Sequence, residues 1–487
     1  MEKKIVVPYA PILVESTRSI GYSFEAAVAD IIDNSISATA TEIRVCFSSQ
    51  NPQWLCIEDN GWGMTAAELE TAMRYGSQSS HDVRRKDDLG RFGLGLKMAS
   101  LSQCRRVTVM TKKDGIFSAA CWDLDYIIQQ KDWALQFLSA KELSEAPGFL
   151  YLKLKDCGTV VVWEQFDRLE QGSAQVQKAF DEKIETTRKH VSLVFHRFIN
   201  DEIPKNRISI YFNGEAVKGT DPFLTRHPAT QPLSEQILRI GSEEIKVKPY
   251  VLPYINKMSK QDIDAIGGKD ELRQQQGFYI YRNKRLIIWG TWFRLIKQNE
   301  LGKLARVRVD IPNSLDSIWE IDIKKSTASL PHFIKRNLAD IVENTVGRSE
   351  RVYKYRGRNI QTDSLIHVWN PVDDRGKFQY LVNRDLPIVK LLEANLNENG
   401  TGLLDAFIKM LEDAFPYSDV YYRLAKNESN VTEGALETAD VYAAAEQMVQ
   451  QLEMLGGDDR EVEIERLLRR RAIALFPCFL PCRIFAA

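Results

Sequence analysis

The 487-residue sequence has no G-x-x-x-x-G-K-[ST] loop, the usual mark of a phosphate-cradling strand–loop–helix site. It has no apolar run of membrane-spanning length. Its opening stretch, MEKKIVVPYAPILVEST, lacks a signal-peptide core. A cytoplasmic protein with no membrane partner is therefore expected. The 7 cysteines are scattered and odd in number, which argues against a disulfide framework and for reduced thiols. Cys478 and Cys482 lie close together, but no second Cys/His pair completes a zinc site. The net charge is -1, so no global attraction draws the chain to nucleic acid, and any DNA contact needs a local basic patch. Internal repeats and low-complexity tracts are absent. What remains is an ordinary globular composition, 44% hydrophobic and 27% charged. The length calls for roughly two to four domains.

Three segments are expected. Residues 1–195 mix the helix-like FEAAVADIIDNSISA with the strand-like RRVTVMT and GTVVVWEQF. Residues 196–345 open at RISIYFNGEAV, where alternating apolar residues flank an Asn213–Gly214 turn and predict a hairpin. EEIKVKPYVLP, GFYIYRNKRLI and ARVRVDIP continue as strands. Residues 346–487 read as mainly helical, because GLLDAFIKMLEDAF and DVYAAAEQMVQQLEML repeat apolar residues at helical spacing.

Four short stretches of the first segment carry chemistry. In EAAVADIIDNSISA, Ala26, Ala29, Ile32 and Ile36 can line one side of a helix. Asp30 and Asn34 are four residues apart and project from nearly the same face. Such a carboxylate can orient or deprotonate a water, and the amide oxygen can ligate Mg²⁺. In LCIEDNGWGMT, Asp59 closes an apolar strand and can accept from an amino group such as that of adenine. Gly61 and Gly63 then mark a backbone that turns sharply or approaches a ligand closely, just before Met64. In DLGRFGLGLKMAS, Gly90, Gly93 and Gly95 are interleaved with Arg91, Phe92, Leu94 and Leu96. Backbone N–H groups there can face a phosphate chain at a helix N-terminus, with Lys97 as a point charge. In DCGTVVVWEQF, Thr159 sits where its hydroxyl can reach a base edge or a bound water. Alone, each stretch has a plainer reading: a solvated helix face, a D-N-G turn, a surface loop, a strand start.

Together, their order and spacing resemble the nucleotide site of the gyrase, histidine kinase, heat-shock chaperone and MutL ATPase superfamily (GHKL) over roughly residues 15–170. ADIIDNSISA with GRFGLGLKMAS is most similar to its MORC-like branch. The resemblance implies an α+β chain with an N-terminal Bergerat α/β sandwich that takes ATP and Mg²⁺. It implies Asn34 as the Mg²⁺ ligand, Asp59 at the adenine amino group, and Gly61, Gly63 and Met64 along the base. Gly90, Arg91, Phe92, Gly93, Leu94, Gly95, Leu96 and Lys97 would wrap the phosphates, with Thr159 assisting at the adenine. Residues from about 64 to 89 would form a lid. One position departs from the pattern, since the family's general base is a glutamate where this chain has Asp30. A catalytic group displaced by about an ångström can cost on the order of a hundredfold in rate. Slow hydrolysis of ATP to ADP and phosphate through Asp30 is expected, with Asp33 a weaker alternative base.

QGFYIYRNKRLIIWGTWFRL and ARVRVDIPNSLDSIWEIDIKKSTASLP resemble, more loosely, the α/β transducer domain of gyrase, MutL and MORC-like proteins. A transducer lysine there reaches the γ-phosphate, and Lys324 and Lys325 are equal candidates. The resemblance implies an ATP-gated homodimeric clamp on DNA, with a role in defence against foreign DNA and with operon-encoded protein partners. The alternatives are a chaperone-like ATPase on protein clients and a nucleotide-sensing scaffold with little turnover. Two basic clusters, Arg282–Asn283–Lys284–Arg285 and Arg351, Lys354, Arg356 and Arg358, can meet nucleic-acid phosphates or can simply be solvated. The cysteines of an animal-type CW zinc finger are missing, which fits a prokaryotic relative.

Overall fold

The computed structural model describes residues 8–19, 21–75, 95–170, 175–200, 207–268, 271–315, 332–354, 369–374, 377–385, 389–390, 393, 398–418 and 420. Met1–Arg356 forms one compact unit and Gly357–Ala487 a second.

The first unit begins with helices α1 (Ala10–Arg18) and α2 (Phe24–Ser37). Ser23 caps α2 by accepting the Ala26 N–H, and no glycine or proline interrupts the helix that follows. Ala29 and Ile32 are fully buried as expected, whereas Ala26 and Ile36 are only partly so. Strands β1 (Glu42–Ser48) and β2 (Trp54–Asp59) follow, then helices α3 (Ala66–Met73) and α4 (Gly95–Gln103). Strands β3 (Arg106–Lys113), β4 (Ile116–Asp123), β5 (Gln136–Phe137), β6 (Gly158–Glu164), β7 (Ser209–Phe212) and β8 (Glu215–Ala216) complete a sheet. Its order is β5-β4-β3-β6-β2-β1-β7-β8.

Side chains alternate along these strands, so each strand feeds two cores. Leu55, Ile57, Val107, Val109, Val161 and Trp163 join the core under α2, α4 and the long helix Val176–Val194. Cys56, Met110, Val160 and Val162 point the other way, beneath the short helix Phe149–Leu154. Each such residue, fully buried, contributes roughly 1.5–3 kcal/mol. The Asn213–Gly214 hairpin was expected to open the second segment. It instead extends the first sheet, because β7 pairs in parallel with β1.

A second sheet holds β9 (Gln231–Pro232), β10 (Gln236–Ile240), β11 (Glu243–Val251), β12 (Gly277–Arg282), β13 (Arg285–Thr291) and β14 (Ala305–Ile311). Its order is β10-β11-β14-β12-β13, with β9 beside β11. Asn283 (φ 48°) and Lys284 (φ 70°) make the two-residue left-handed turn that joins β12 to β13. Helix His332–Lys354 covers this sheet with Leu338, Ile341 and Val342.

The second unit pairs β15 (Trp369–Asp374) with β16 (Lys377–Val382) and adds helix Glu398–Asp413, the first of the two C-terminal helices expected. The second, over 438–455, lies outside the described residues, as do Cys478 and Cys482. No helix among the described residues is long and apolar enough to cross a membrane.

Trp163 is fully buried and meets Phe24 edge-to-face at 5.9 Å, while its indole N–H has no hydrogen-bond partner among the described residues. Trp163→Ala should cost about 3–5 kcal/mol in urea unfolding. Trp163→Phe should cost clearly less, because no hydrogen bond is lost. Equal losses would show that the indole edge matters more than its volume.

Candidate nucleotide site

The strand alternation that builds the core also builds the site. Asp59 follows Leu55 and Ile57 onto the helix-covered face of β2. In register, Asp59 faces Thr159 on β6, and Thr159 faces Thr111 on β3. A carboxylate and two hydroxyl residues therefore lie in one row across three adjacent strands. The Thr111 hydroxyl receives the Met64 N–H at 2.8 Å and donates to the Gly158 carbonyl at 3.1 Å. This pins the segment after β2 against the sheet.

Asp59 is buried and meets no cation among the described residues. Ser35 on α2 donates to its Oδ2 at 2.9 Å, and the Gly61 N–H donates to Oδ1 at 2.9 Å. Burial pushes its carboxyl up to about 6, against the Gly61, Ser35 and Thr159 bonds that favour the anion. A ligand amino group can supply further donors. Gly63 adopts φ 66°, and a Cβ there would lie 2.1 Å from the Lys112 carbonyl oxygen. A Cβ on Gly61 would press within 2.8 Å of Ala38. The pair of glycines is thus a steric requirement of this backbone.

On α2, Asp30 is buried and Asn34 is exposed. Tyr22 donates to Asp30 Oδ2 at 3.1 Å. The same oxygen sits 3.7 Å from where a Gly95 Cβ would be, so Asp30 looks at the head of α4. Among the described residues, the Asn34 side chain makes no hydrogen bond. Its amide oxygen suits a hard cation. Asp33 is buried, and Arg285 Nε donates to both of its oxygens, at 3.0 and 2.9 Å. That leaves it unsuited to act as the weaker alternative base.

Residues 22–159 match the family model described as histidine kinase-, DNA gyrase B- and HSP90-like ATPase. Over this segment the chain is similar to the GHKL ATPases. Over 95 residues the chain is 34% identical to ATPase morc-1 of Caenorhabditis elegans, covering 19% of this chain and 11% of that protein. The chain therefore spans only about 11% of that relative's length. Among solved structures, it resembles the N-terminal domain of a DNA repair protein at TM-score 0.43 and 16% identity, over 71% of this chain and 99% of that one.

Of the residues expected in the GHKL site, Asp30, Asn34, Asp59, Gly61, Gly63, Met64, Gly95, Leu96, Lys97 and Thr159 are described. Gly90, Arg91, Phe92, Gly93 and Leu94 lie outside the described residues, as do Lys324 and Lys325. Leu96 packs against the core under α2. Lys97 is buried, and its Nζ donates to the Ala72 and Arg74 carbonyls at 2.8 Å each. Burial lowers its pKa to about 8. In this structure Lys97 therefore fastens the C-terminal end of α3, the root of the expected lid. Ser35, Thr111 and Tyr22 were missed by the sequence reading. Only register or a helix partner reveals them, and a lone Ser, Thr or Tyr gives no local signal. The basic β12–β13 turn also differs from expectation, since Arg282 and Arg285 are buried and offer no surface to DNA. On the sheet's opposite face, Cys46, Cys56 and Glu58 bring two sulfurs and a carboxylate oxygen within 4.8 Å of one another.

Because Asp59 binds its proton more tightly folded than unfolded, folding takes up a proton between about pH 4 and pH 6. Its contribution to stability should therefore fall as pH rises through that window and stay low above it. Urea midpoints of wild type and Asp59→Asn, compared from pH 4 to 7, should diverge over that interval. Parallel curves would mean that the carboxyl titrates normally.

Proposed function

We propose that the chain binds Mg²⁺–ATP on the Asp59–Thr159–Thr111 row and hydrolyses it slowly to ADP and phosphate. The observation that carries this reading is the α2 geometry. Asp30 is buried against the head of α4, and Asn34 stands one turn later, exposed and without a side-chain hydrogen bond among the described residues. Asp59 accepts the adenine amino group while Ser35 and Gly61 hold its carboxylate. Gly61 and Gly63 let the base lie against backbone. Thr111 fixes Met64 beside it. Asn34 would hold Mg²⁺, which when bound neutralises phosphate charge. Asp30 takes the proton of the attacking water, with Tyr22 holding its Oδ2. Lys97 keeps the root of the lid in place. Lys324 or Lys325 contacts the γ-phosphate, by resemblance to transducer lysines.

Asp30→Ala should lower turnover by on the order of 10²–10⁴-fold with ATP still bound. Asn34→Ala should raise the Mg²⁺ concentration needed for half-maximal ATP binding. Asp30→Glu restores the family's reach and should hydrolyse at least as fast as wild type. Unchanged turnover in Asp30→Ala would remove that residue from the chemistry. Negligible wild-type turnover with tight ATP binding would favour the nucleotide-sensing scaffold, a reading that the short reach of Asp30 supports.

The wider role we infer is an ATP-gated homodimeric clamp on DNA. Its support is the MORC-like sequence of the ATPase domain and the transducer-like strands that follow. Pull-down of DNA with and without a non-hydrolysable ATP analogue, across salt concentrations, tests it. Analogue-dependent capture that weakens with salt is expected. No capture at low salt in either state would overturn the DNA role.

A further inference from the structure

Arg285 reaches the ATP site from the other sheet. It opens β13, yet its buried guanidinium lies against α2. Nε donates to both oxygens of Asp33, at 3.0 and 2.9 Å, and Nη2 lies 3.9 Å from Asp30 Oδ1. Nη1 donates to the Leu286 carbonyl at 3.1 Å, which ties the head group back to its own strand. The Phe195 ring closes one side, 5.8 Å from the guanidinium carbon. The two oxygens of Asp30 are thereby divided: Oδ2 meets Tyr22 and faces Gly95, while Oδ1 faces Arg285.

We propose that Arg285 is a positioning residue through which the second sheet sets the orientation of Asp30. The proposal rests on the reading of Asp30 as the hydrolytic base. Asp30 and Asp33 are one helical turn apart and buried, so their charges repel. A guanidinium placed between them offsets that repulsion: Nε–H bonds fix Asp33 in direction, and Nη2, 3.9 Å from Asp30 Oδ1, acts on Asp30 as a charge held at a set place. A lysine at 285 would present a single point charge and could not serve both carboxylates with fixed geometry. The β12–β13 turn has two residues, and Arg285 pairs with Arg282 across it, so the turn fixes where Arg285 leaves the strand. A shift of β13 relative to α2 therefore moves the partner of Asp30 directly. The partners of Arg285 are Asp33, Asp30, Leu286 and Phe195, so its effect is expected on the rate of the chemical step.

A second tether from a helix to the second sheet provides the control. Arg197, in the short helix His196–Ile199, bonds to Asp310 on β14 and lies over the Tyr281 ring at 4.9 Å. It is buried in the same way, and its ion pair goes to Asp310 on β14. Steady-state ATP hydrolysis, ATP-analogue affinity and melting temperature should be measured for wild type, Asp30→Ala, Arg285→Ala, Arg285→Lys and Arg197→Ala. Arg285→Ala should lose tenfold or more in kcat with KM and analogue affinity within about twofold of wild type. Arg285→Lys should recover part of that loss. Arg197→Ala should melt lower and keep its kcat. Equal kcat losses in Arg285→Ala and Arg197→Ala would reduce Arg285 to a docking contact and overturn the proposal. If Arg285→Ala does not fold, wild-type kcat in Arg285→Lys would overturn it equally. Full activity in Asp30→Ala would sink the reading of the base itself. Loss in Asp30→Ala with wild-type kcat in Arg285→Ala would sink only the role of Arg285.

Discussion

A strand exposes alternate residues to opposite faces, and in this protein that constraint decides where chemistry can occur. Leu55 and Ile57 must face the helices to fill the larger core, so Asp59, two residues on, must face them too. The same parity carries Val107 and Val109 to Thr111, and Val161 back to Thr159. Pairing of β2, β6 and β3 then sets the three polar residues in a row. A slip of one residue in either pairing would send Asp59 or its partners to the opposite core. The apolar packing of the sheet and the polar floor of the site are thus specified together.

The polar floor is held by bonds to helix and backbone, with no counter-ion among the described residues. Asp59 relies on Ser35 and on the Gly61 N–H, and burial keeps its proton affinity high. Two carboxylates on α2 are treated differently, with a guanidinium brought from β13. The distinction follows from burial of like charges. One buried carboxylate can be satisfied by neutral donors, while two in adjacent turns need a cation. His190, on the long helix nearby, supplies no positive charge. Burial, with the Arg285 charge adding to it, lowers its pKa to about 4.

Much of this was legible in the sequence wherever the signal is local. Asp59 with Gly61 and Gly63 is a contiguous motif, and the spacing of Asp30 and Asn34 is one helical turn. The α/β character of both sheets followed from alternation in RRVTVMT, GTVVVWEQF and ARVRVDIP. What the sequence did not disclose depends on distant pairing. Thr111 gains its place only through register with Gly158 and Thr159. The hairpin at Asn213–Gly214 was readable as a hairpin, but its sheet was not, because a parallel neighbour such as β1 leaves no local trace. Lys97 read as a phosphate contact because a lysine after glycines has that meaning locally. Its carbonyl partners at Ala72 and Arg74 are more than twenty residues away. Arg285 looked like surface charge in a basic turn, and only the docking of the two sheets buries it.

Substituting aspartate for glutamate at position 30 retracts the carboxylate toward the helix axis, and the surroundings of Asp30 bear on what that change does. A free aspartate on an exposed helix face would sample several rotamers and meet a substrate water in few of them. Here Tyr22 takes one oxygen, and the other lies between the helix and Arg285. The carboxylate has little freedom left, so its entropic loss on binding is small. Restriction cannot restore reach, because the missing methylene displaces the oxygens whatever their order. It can make the shorter reach reproducible, so that a water seated at the right place finds the same base each time. On the reading of Asp30 as the hydrolytic base, the chain would combine a retracted base with a fixed one, and its rate would depend on where the water is held more than on how often the base is correctly turned.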